Sequence, residues 1–447
     1  MTAELPGKLL FEEKALLWIY IFAFVFDYKG QEGGSLPQFA MAGFSLAAGT
    51  GFILFRSRRR ETKTIKLYPN LKKVTILWWS YLLSTVLTAL IAGVVFGRYI
   101  RVFFPLLLCG ISLLIICKFQ KRLIDPNEII KPLLLASLIA VLWKIYYAAQ
   151  VANIDMYNMR YQILSSGGIV FLLAYVFAGV ISREQLSIFH IIMLCIIGIC
   201  SFLSITRSLI ILIFFMGCGY FWIALNKPFQ TNIKRTLLLV SISILALIPA
   251  WYIADQLRPG FLHDWTNRMF HQYYGGMDIT LSTRLAEWSG QILSLTENMR
   301  SLIFGKGLGS EYFWDYNFFF ALKSAYSWND LINKSGWYGG HSMWVYSLYS
   351  GGLLFGWVII GISFLSLFRI MAVVNKKHLN NDNLLKNNAP LLLFLILGFI
   401  SQGFTSHPLS KRFFAIIAGI VFGMIHWVYD YYQLSNKLSY QLNKQIM

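Results

Sequence analysis

The sequence predicts an all-α polytopic membrane protein, with about twelve transmembrane helices and one large, partly helical loop between the ninth and tenth. Three observations carry this. Of 447 residues, 57% are hydrophobic and only 13% charged, and the mean hydropathy is +0.58. Soluble domains are about 45–50% apolar and about 25% charged, so this chain has too little charge to cover a water-facing surface. The apolar residues gather into runs of span length, and the basic residues gather in the short connections between those runs.

Taken in order, the apolar segments lie at roughly 9–27, 37–55, 74–96, 100–117, 130–150, 167–182, 186–204, 208–225, 236–254, 341–368, 389–404 and 412–430. The first, sixth and eleventh are marginal as spans. The division that follows is a bundle over 1–254, a loop over 255–340 and a second bundle over 341–447.

Orientation rests on Lys and Arg. The run Arg56, Arg58, Arg59, Arg60, Lys63, Lys66, Lys72 and Lys73 belongs in the cytoplasm by the positive-inside rule. Lys118, Lys121 and Arg122 then fall on the same side, as do Lys227, Lys234 and Arg235, and Lys376, Lys377 and Lys386. About 24 basic residues are inside and about 15 outside, and both termini are cytoplasmic. The net charge of +19 is thus an anchoring pattern and not a nucleic-acid footprint, which would gather on a soluble domain. The five cysteines all lie in apolar stretches, so no disulfide framework is expected. No cleavable signal peptide is visible.

The outer connection from Asp255 to Gly340 is about 85 residues, longer than a structureless loop should be. It carries Trp265, Trp288, Trp314, Trp328 and Trp337. One reading is a lid whose aromatics lie in the membrane interface; the other is a surface for stacking on sugar rings. No internal repeat relates the two halves, which weighs against an inverted-repeat transporter.

Charged residues at membrane depth are functional candidates. Arg207 sits in Ser204-Ile205-Thr206-Arg207-Ser208, at a tight outer turn. It is either an interfacial Arg that snorkels or a fixed cation whose fork suits phosphate oxygens. Arg284 sits in Leu281-Ser282-Thr283-Arg284-Leu285-Ala286-Glu287-Trp288. Ser282 or Thr283 is expected to cap a helix, with Leu281, Leu285, Trp288 and Ile292 as its apolar stripe and Arg284, Trp288 and Gln291 on a neighbouring face. The plain alternative for Arg284 is an i,i+3 ion pair with Glu287. Gly305-Lys306-Gly307-Leu308-Gly309 reads as a turn, or as backbone N–H groups plus a lysine around an anion. His341 follows Gly339-Gly340 and is placed in the first turn of the next span, where the helix dipole disfavours an imidazolium and a neutral ring can act as a general base. His407, Lys411 and Arg412 lie on the last outer loop and are candidates for the same mouth. The sequence offers no Walker motif, no Cys/His metal cluster and no cofactor motif.

In this order, these elements resemble the O-antigen ligase and polymerase superfamily. Its pattern is an Arg after Ser or Thr at a periplasmic turn, an Arg before a Trp in a long periplasmic loop, an fGxGlG segment, and His followed by Asn, Ser or Gln at the next span. Here these are Ser204 to Ser208, Thr283 to Trp288, Phe304 to Gly309, and His341-Ser342. Nine residues separate Ser342 from Gly352, as in the family; the family's second glycine, three further on, is Phe355 here, with Gly356 next. The motifs cover roughly 200–370.

The resemblance implies a GT-C-like fold in a bacterial inner membrane and a glycan donor on undecaprenyl pyrophosphate, with transfer to a sugar hydroxyl on the outer face. His341, Arg284 and Arg207 would be catalytic. Trp288, Lys306, Gly307, Gly309, Ser342 and Arg412 would bind substrate, with no metal or cofactor. A flippase and a chain-length regulator are implied partners, with no nucleic acid. Polymerase is favoured over ligase because the loop is bulky and aromatic and because Ser342 stands where many ligases have Asn. A flippase would spread charges along several spans, whereas only Lys144 lies near a span interior. A metal-dependent dolichol-type transferase would want acids in the first outer loop, where only Asp27 and Glu32 stand near.

Overall fold

The computed structural model of the chain describes residues 9–26, 36–58, 69–120, 125–151, 167–182, 188–204, 207–226, single positions and pairs between 252 and 278, then 279–322, 331, 336–375 and 383–446. The expected span at 236–254, apart from Tyr252, and Thr206, Lys63, Lys66, Trp265 and Trp328 lie outside the described residues.

The described chain is mainly helical; outside the helices it has short turns, a two-residue antiparallel ladder of Tyr273–Tyr274 with Met277–Asp278 and a single bridge between Tyr312 and Trp337. The first bundle comprises α1 (Phe11–Phe22), α2 (Leu36–Arg58), α3 (Pro69–Ile91), α4 (Phe96–Gln120), α5 (Asn127–Val151), α6 (Gly167–Ser182), α7 (Ile188–Ser204) and α8 (Arg207–Asn226). The loop contributes α9 (Ile279–Thr296), α10 (Met299–Phe304) and α11 (Phe319–Leu322). The chain closes with α12 (Met343–Phe355), α13 (Trp357–Val374), α14 (Asn383–Thr405) and α15 (Arg412–Ile446). Among the described residues, eight helices are long and apolar enough to cross a membrane: α2, α3, α4, α5, α8, α13, α14 and α15. The protein is therefore an all-α, multi-pass membrane protein. The expected first span is only the 12 residues of α1, and α6 and α7 have 16 and 17.

α15 and α14 form the centre: 94% and 83% of their apolar windows are buried inside the protein. α15 packs on α4, where Gly419 and Gly423 lie against Cys109, Ser112 and Ile116. α14 packs on α6 and α8. Backbone polar groups in such an interior must be satisfied within the protein. Asp430 of α15 does this for α3, accepting from the N–H groups of Asn70 and Leu71 at 3.2 Å each, which satisfies donors that a helix start leaves open. Arg369 donates to Asn70 Oδ1 at 2.8 Å and to His426 Nδ1 at 2.7 Å. Arg56, expected as one of a run of anchoring cations, is instead buried against Glu13 at 2.9 Å, with the two 5% and 1% exposed. Lys144 is also buried.

The segment expected to be one span, 341–368, is two helices. Gly352 has φ 62° and ψ −166°, a left-handed conformation that side chains disfavour. Trp344 and Phe364 would be about 30 Å apart on a straight helix, yet their rings lie 5.9 Å apart. α12 therefore folds back on α13, and α13 alone has span length. A Cβ on Gly352 would collide with the carbonyl of Ile303, and one on Gly356 with Leu348 and Ser347. The glycine at 356 thus serves the corner although it is displaced by one residue from the expected position.

Candidate functional site

α9 begins at Ile279, so Ser282 and Thr283 lie inside it and do not cap it. Its orientation is also opposite to the one expected from the apolar stripe. Leu281 and Ile292 are exposed, whereas Ser282, Glu287 and Gln291 are buried. A helix that turns polar groups inward does so because they have partners there.

The partner of Glu287 is His341. Glu287 Oε1 accepts from the His341 backbone N–H at 2.5 Å, and Oε2 lies 2.5 Å from His341 Nδ1. Glu287 is fully buried, while the His341 side chain is 41% exposed. Gln291 Nε2 adds a long hydrogen bond to Oε1 at 3.4 Å. Burial works to raise the carboxyl's pKa, but the hydrogen bonds and charge of His341, followed by the Arg284 charge, outweigh it and hold Glu287 below the usual carboxylate range. A carboxylate on Nδ1 fixes the tautomer, placing the proton there and the lone pair on Nε2. Arg284 Nη1 is 3.9 Å from the same oxygen, so the expected i,i+3 pair exists only at its outer limit and Glu287 bonds His341 far more closely.

His341 precedes the N-cap Ser342 and so lies outside the first turn of α12. Its ring and backbone are held in place by Glu287. Ser342 is buried, with its hydroxyl 3.4 Å from the Gly403 carbonyl, and ties α12 to α14. Behind His341, Tyr312 pairs with Trp337 through two backbone hydrogen bonds of 2.8 and 2.9 Å, and its hydroxyl donates to the Gly339 carbonyl at 3.1 Å. Trp337 stacks on Trp314 at 5.3 Å, and its ring centre is 6.1 Å from that of His341. Tyr346 donates to the Tyr338 carbonyl at 2.9 Å and lies 5.2 Å from the ring of His407. Trp288 is half-buried on α9 beside Glu287.

The N–H groups of the glycine segment have acceptors within the protein. The N–H groups of Gly305, Lys306 and Gly307 donate to the carbonyls of Ser301, Tyr349 and Ser350 at 2.8, 2.9 and 3.0 Å, and that of Gly309 donates to Tyr346 Oη at 3.0 Å. Lys306 Nζ pairs with Glu297. Gly305, Gly307 and Gly309 all have positive φ, and Cβ atoms there would strike α12, Ala89 of α3 and Arg98 of α4 respectively. Lys306, Gly307 and Gly309 therefore wedge the loop between α12 and the α3–α4 corner. Arg98 pairs with Glu311 across that seam, and Arg101 donates to Tyr338 Oη at 2.6 Å.

His407 is buried, and so does not line an open mouth. Burial, then the Lys411 charge, push its imidazole down to about 3, so it is neutral. Arg412 opens α15 and stands over the Phe24 ring at 5.5 Å. Arg207 opens α8. α8 runs antiparallel to α14, with Phe215 against Phe404 and Gly219 against Leu397 and Phe394. Arg207 is thus at the end of the bundle where α14 finishes and where Trp344 packs on Phe404, on the face that carries His341. Sequence reading assigned Glu287 only to Arg284. The signal it could have used is the i,i+4 polar pair Glu287 and Gln291 on one helix face; the partner, 54 residues away, leaves no trace in local pattern.

No protein-family model matches this chain, and no curated protein matches it.

Proposed function

We propose that this protein transfers a glycan from a lipid pyrophosphate to a sugar hydroxyl at the membrane face carrying His341. The observation that carries the proposal is the buried Glu287 on His341 Nδ1, with Arg284 beside the same carboxylate. In this mechanism His341 Nε2 takes the proton of the acceptor hydroxyl. The acceptor oxygen attacks the anomeric carbon opposite the leaving group, which inverts it. The bond from that carbon to the pyrophosphate oxygen breaks, and its electron pair leaves with the pyrophosphate. Arg284 and Arg207 offset the charge that collects there. Glu287 is a positioning residue: it holds the imidazole and stabilises the imidazolium that forms.

The fuller reading is a GT-C-like chain of about twelve spans in a bacterial inner membrane, with the loop over 255–340 in the periplasm and both termini in the cytoplasm. Its donor is an undecaprenyl-pyrophosphate-linked repeat unit, and a flippase and a length regulator act beside it. We read it as a polymerase. Ligation to lipid A-core uses the same chemistry, and the acceptor separates the two. Reconstituted protein given lipid-linked repeat unit alone lengthens the glycan if it is a polymerase, and makes product only with added lipid A-core if it is a ligase. A chain inert with both acceptors is not a glycan transferase.

A further inference from the structure

The seam between the loop and the bundle has an apolar outer surface. α3 shows an exposed apolar stripe along its length, including Leu83 at 63%, Leu87 at 53% and Leu90 at 73%. α13 shows another, from Trp357 to Phe368. Both helices have span length and composition, so the stripes are surfaces that a bilayer covers. α10 bridges their loop-side ends. Arg300 of α10 reaches back to the Ile91 carbonyl at 3.3 Å, Gly307 abuts Ala89, and Ile303 abuts Gly352 at the α12–α13 corner. The exposed residues of α10 are Met299 at 70%, Ile303 at 38%, Phe304 at 44% and, towards α3, Arg300, and those of the corner are Leu353 and Leu354 at 51% and 54%. The apolar surface is therefore continuous from one span to the other across a segment of the loop.

Much of this segment's backbone is satisfied within the protein, as hydrocarbon requires of backbone it surrounds. Asn298 Oδ1 accepts from the Ser301 N–H at 2.8 Å. Leu302 donates to Asn298 at 3.0 Å, and the N–H groups of Gly305, Lys306 and Gly307 are all taken up by carbonyls of α10 and α12. Water is not needed to complete any of these. Glu297 and Lys306 pair with each other beside the helix, and Arg300, exposed on α10, turns its guanidinium to the Ile91 carbonyl at the end of α3.

We infer that α10 is embedded in the acyl-chain region of one bilayer leaflet, as a short membrane insertion of the large loop, with lipid tails as its partner. The insertion anchors the glycine wedge that positions α12, and hence His341, at the bilayer boundary. This inference stands on the multi-pass fold and does not depend on the reaction proposed above.

The test uses the native full-length chain in vesicles that contain a phospholipid with a photoactivatable diazirine at the end of one acyl chain, followed by mass-spectrometric mapping of adducts. The expected result is labelling of Met299–Phe304 at the level found for Leu83–Leu90, and about tenfold above Phe313–Tyr316. Absence of label at Met299–Phe304, with α3 labelled, overturns the inference. Hydroxyl-radical footprinting in the same vesicles reads water directly. Strong oxidation of Met299 places α10 in solvent, and protection from both reagents assigns its apolar face to a protein partner; either result also overturns it.

Discussion

Glu287 grips His341 at two points, one carboxylate oxygen on the backbone N–H and the other 2.5 Å from Nδ1. The same group thus sets where the imidazole is and which way its ring faces. A buried carboxylate held by a partly exposed histidine gains from being charged, and orients a ring whose other nitrogen is available for proton transfer.

Replacing Glu287 by Gln should cost about 10²-fold in kcat or more, with KM little changed, because tautomer control is lost while volume is kept. The Glu287→Gln/His341→Ala double variant should be no worse than His341→Ala alone, since the two act as a unit. Additive losses in steady-state transfer assays would show that Glu287 acts elsewhere.

Acid should act on two groups in separate windows. The His407 imidazole is depressed to about 3, so the unfolded chain binds its proton first, and stability falls as pH drops below the ordinary histidine range towards 3. Glu287 is depressed as a carboxylate; its contribution is present above the ordinary carboxyl range and is lost as pH falls through the lower folded value. Thermal unfolding against pH should therefore lose its upper acid slope in His407→Phe, which keeps the ring beside Tyr346, and its lower slope in Glu287→Gln. Parallel curves for both variants and the wild type would contradict the assignments.

Gly352→Ala should destabilise the protein by about 1–3 kcal/mol from backbone strain alone, and by more because the new Cβ meets Ile303. Gly361→Ala on α13 is the control. Nothing lies within 4 Å of a Cβ there, and alanine in a helix interior should gain about 0.5–1 kcal/mol. Equal melting shifts for the two would remove the corner's structural role.

Much of this architecture was legible in the sequence because a bilayer writes itself into composition. The spans α2 to α5, α8, α14 and α15 all fall where the hydropathy placed them. The break at Gly352 was not legible, because 341–368 is apolar on both sides of the corner and hydropathy does not register a backbone angle. Within the candidate site, the sequence singles out His341 by its place at the end of the loop and Arg284 by its place before Trp288 within it. Glu287 was passed over because a nearby Arg offered a sufficient local partner, and the inward turn of α9 contradicts its own apolar stripe. The glycine segment reads as an anion cradle from its N–H groups alone; those of Gly305, Lys306 and Gly307 go to carbonyls of α10 and α12 and that of Gly309 to Tyr346 Oη, partners fixed only by tertiary packing.

That difference separates two sets of basic residues. Lys306→Ala removes a partly exposed pair with Glu297, and pairs of that kind contribute about 0–1 kcal/mol; transfer should stay near the wild-type rate. Arg284→Ala should abolish transfer while the protein still inserts, and Arg207→Lys should be poor because a point charge loses the two-point contact with phosphate oxygens. A Lys306→Ala variant as impaired as Arg284→Ala would return the glycine segment to substrate binding.

The most direct measurement is glycan transfer by purified protein in vesicles, wild type against His341→Ala, with lipid-linked repeat unit as donor and release of the lipid pyrophosphate followed over time. The expected result is longer glycan and released carrier from the wild type, with a loss of at least about 10²-fold in His341→Ala. Wild-type rates in His341→Ala, or no release by the wild type with either acceptor, would contradict the account.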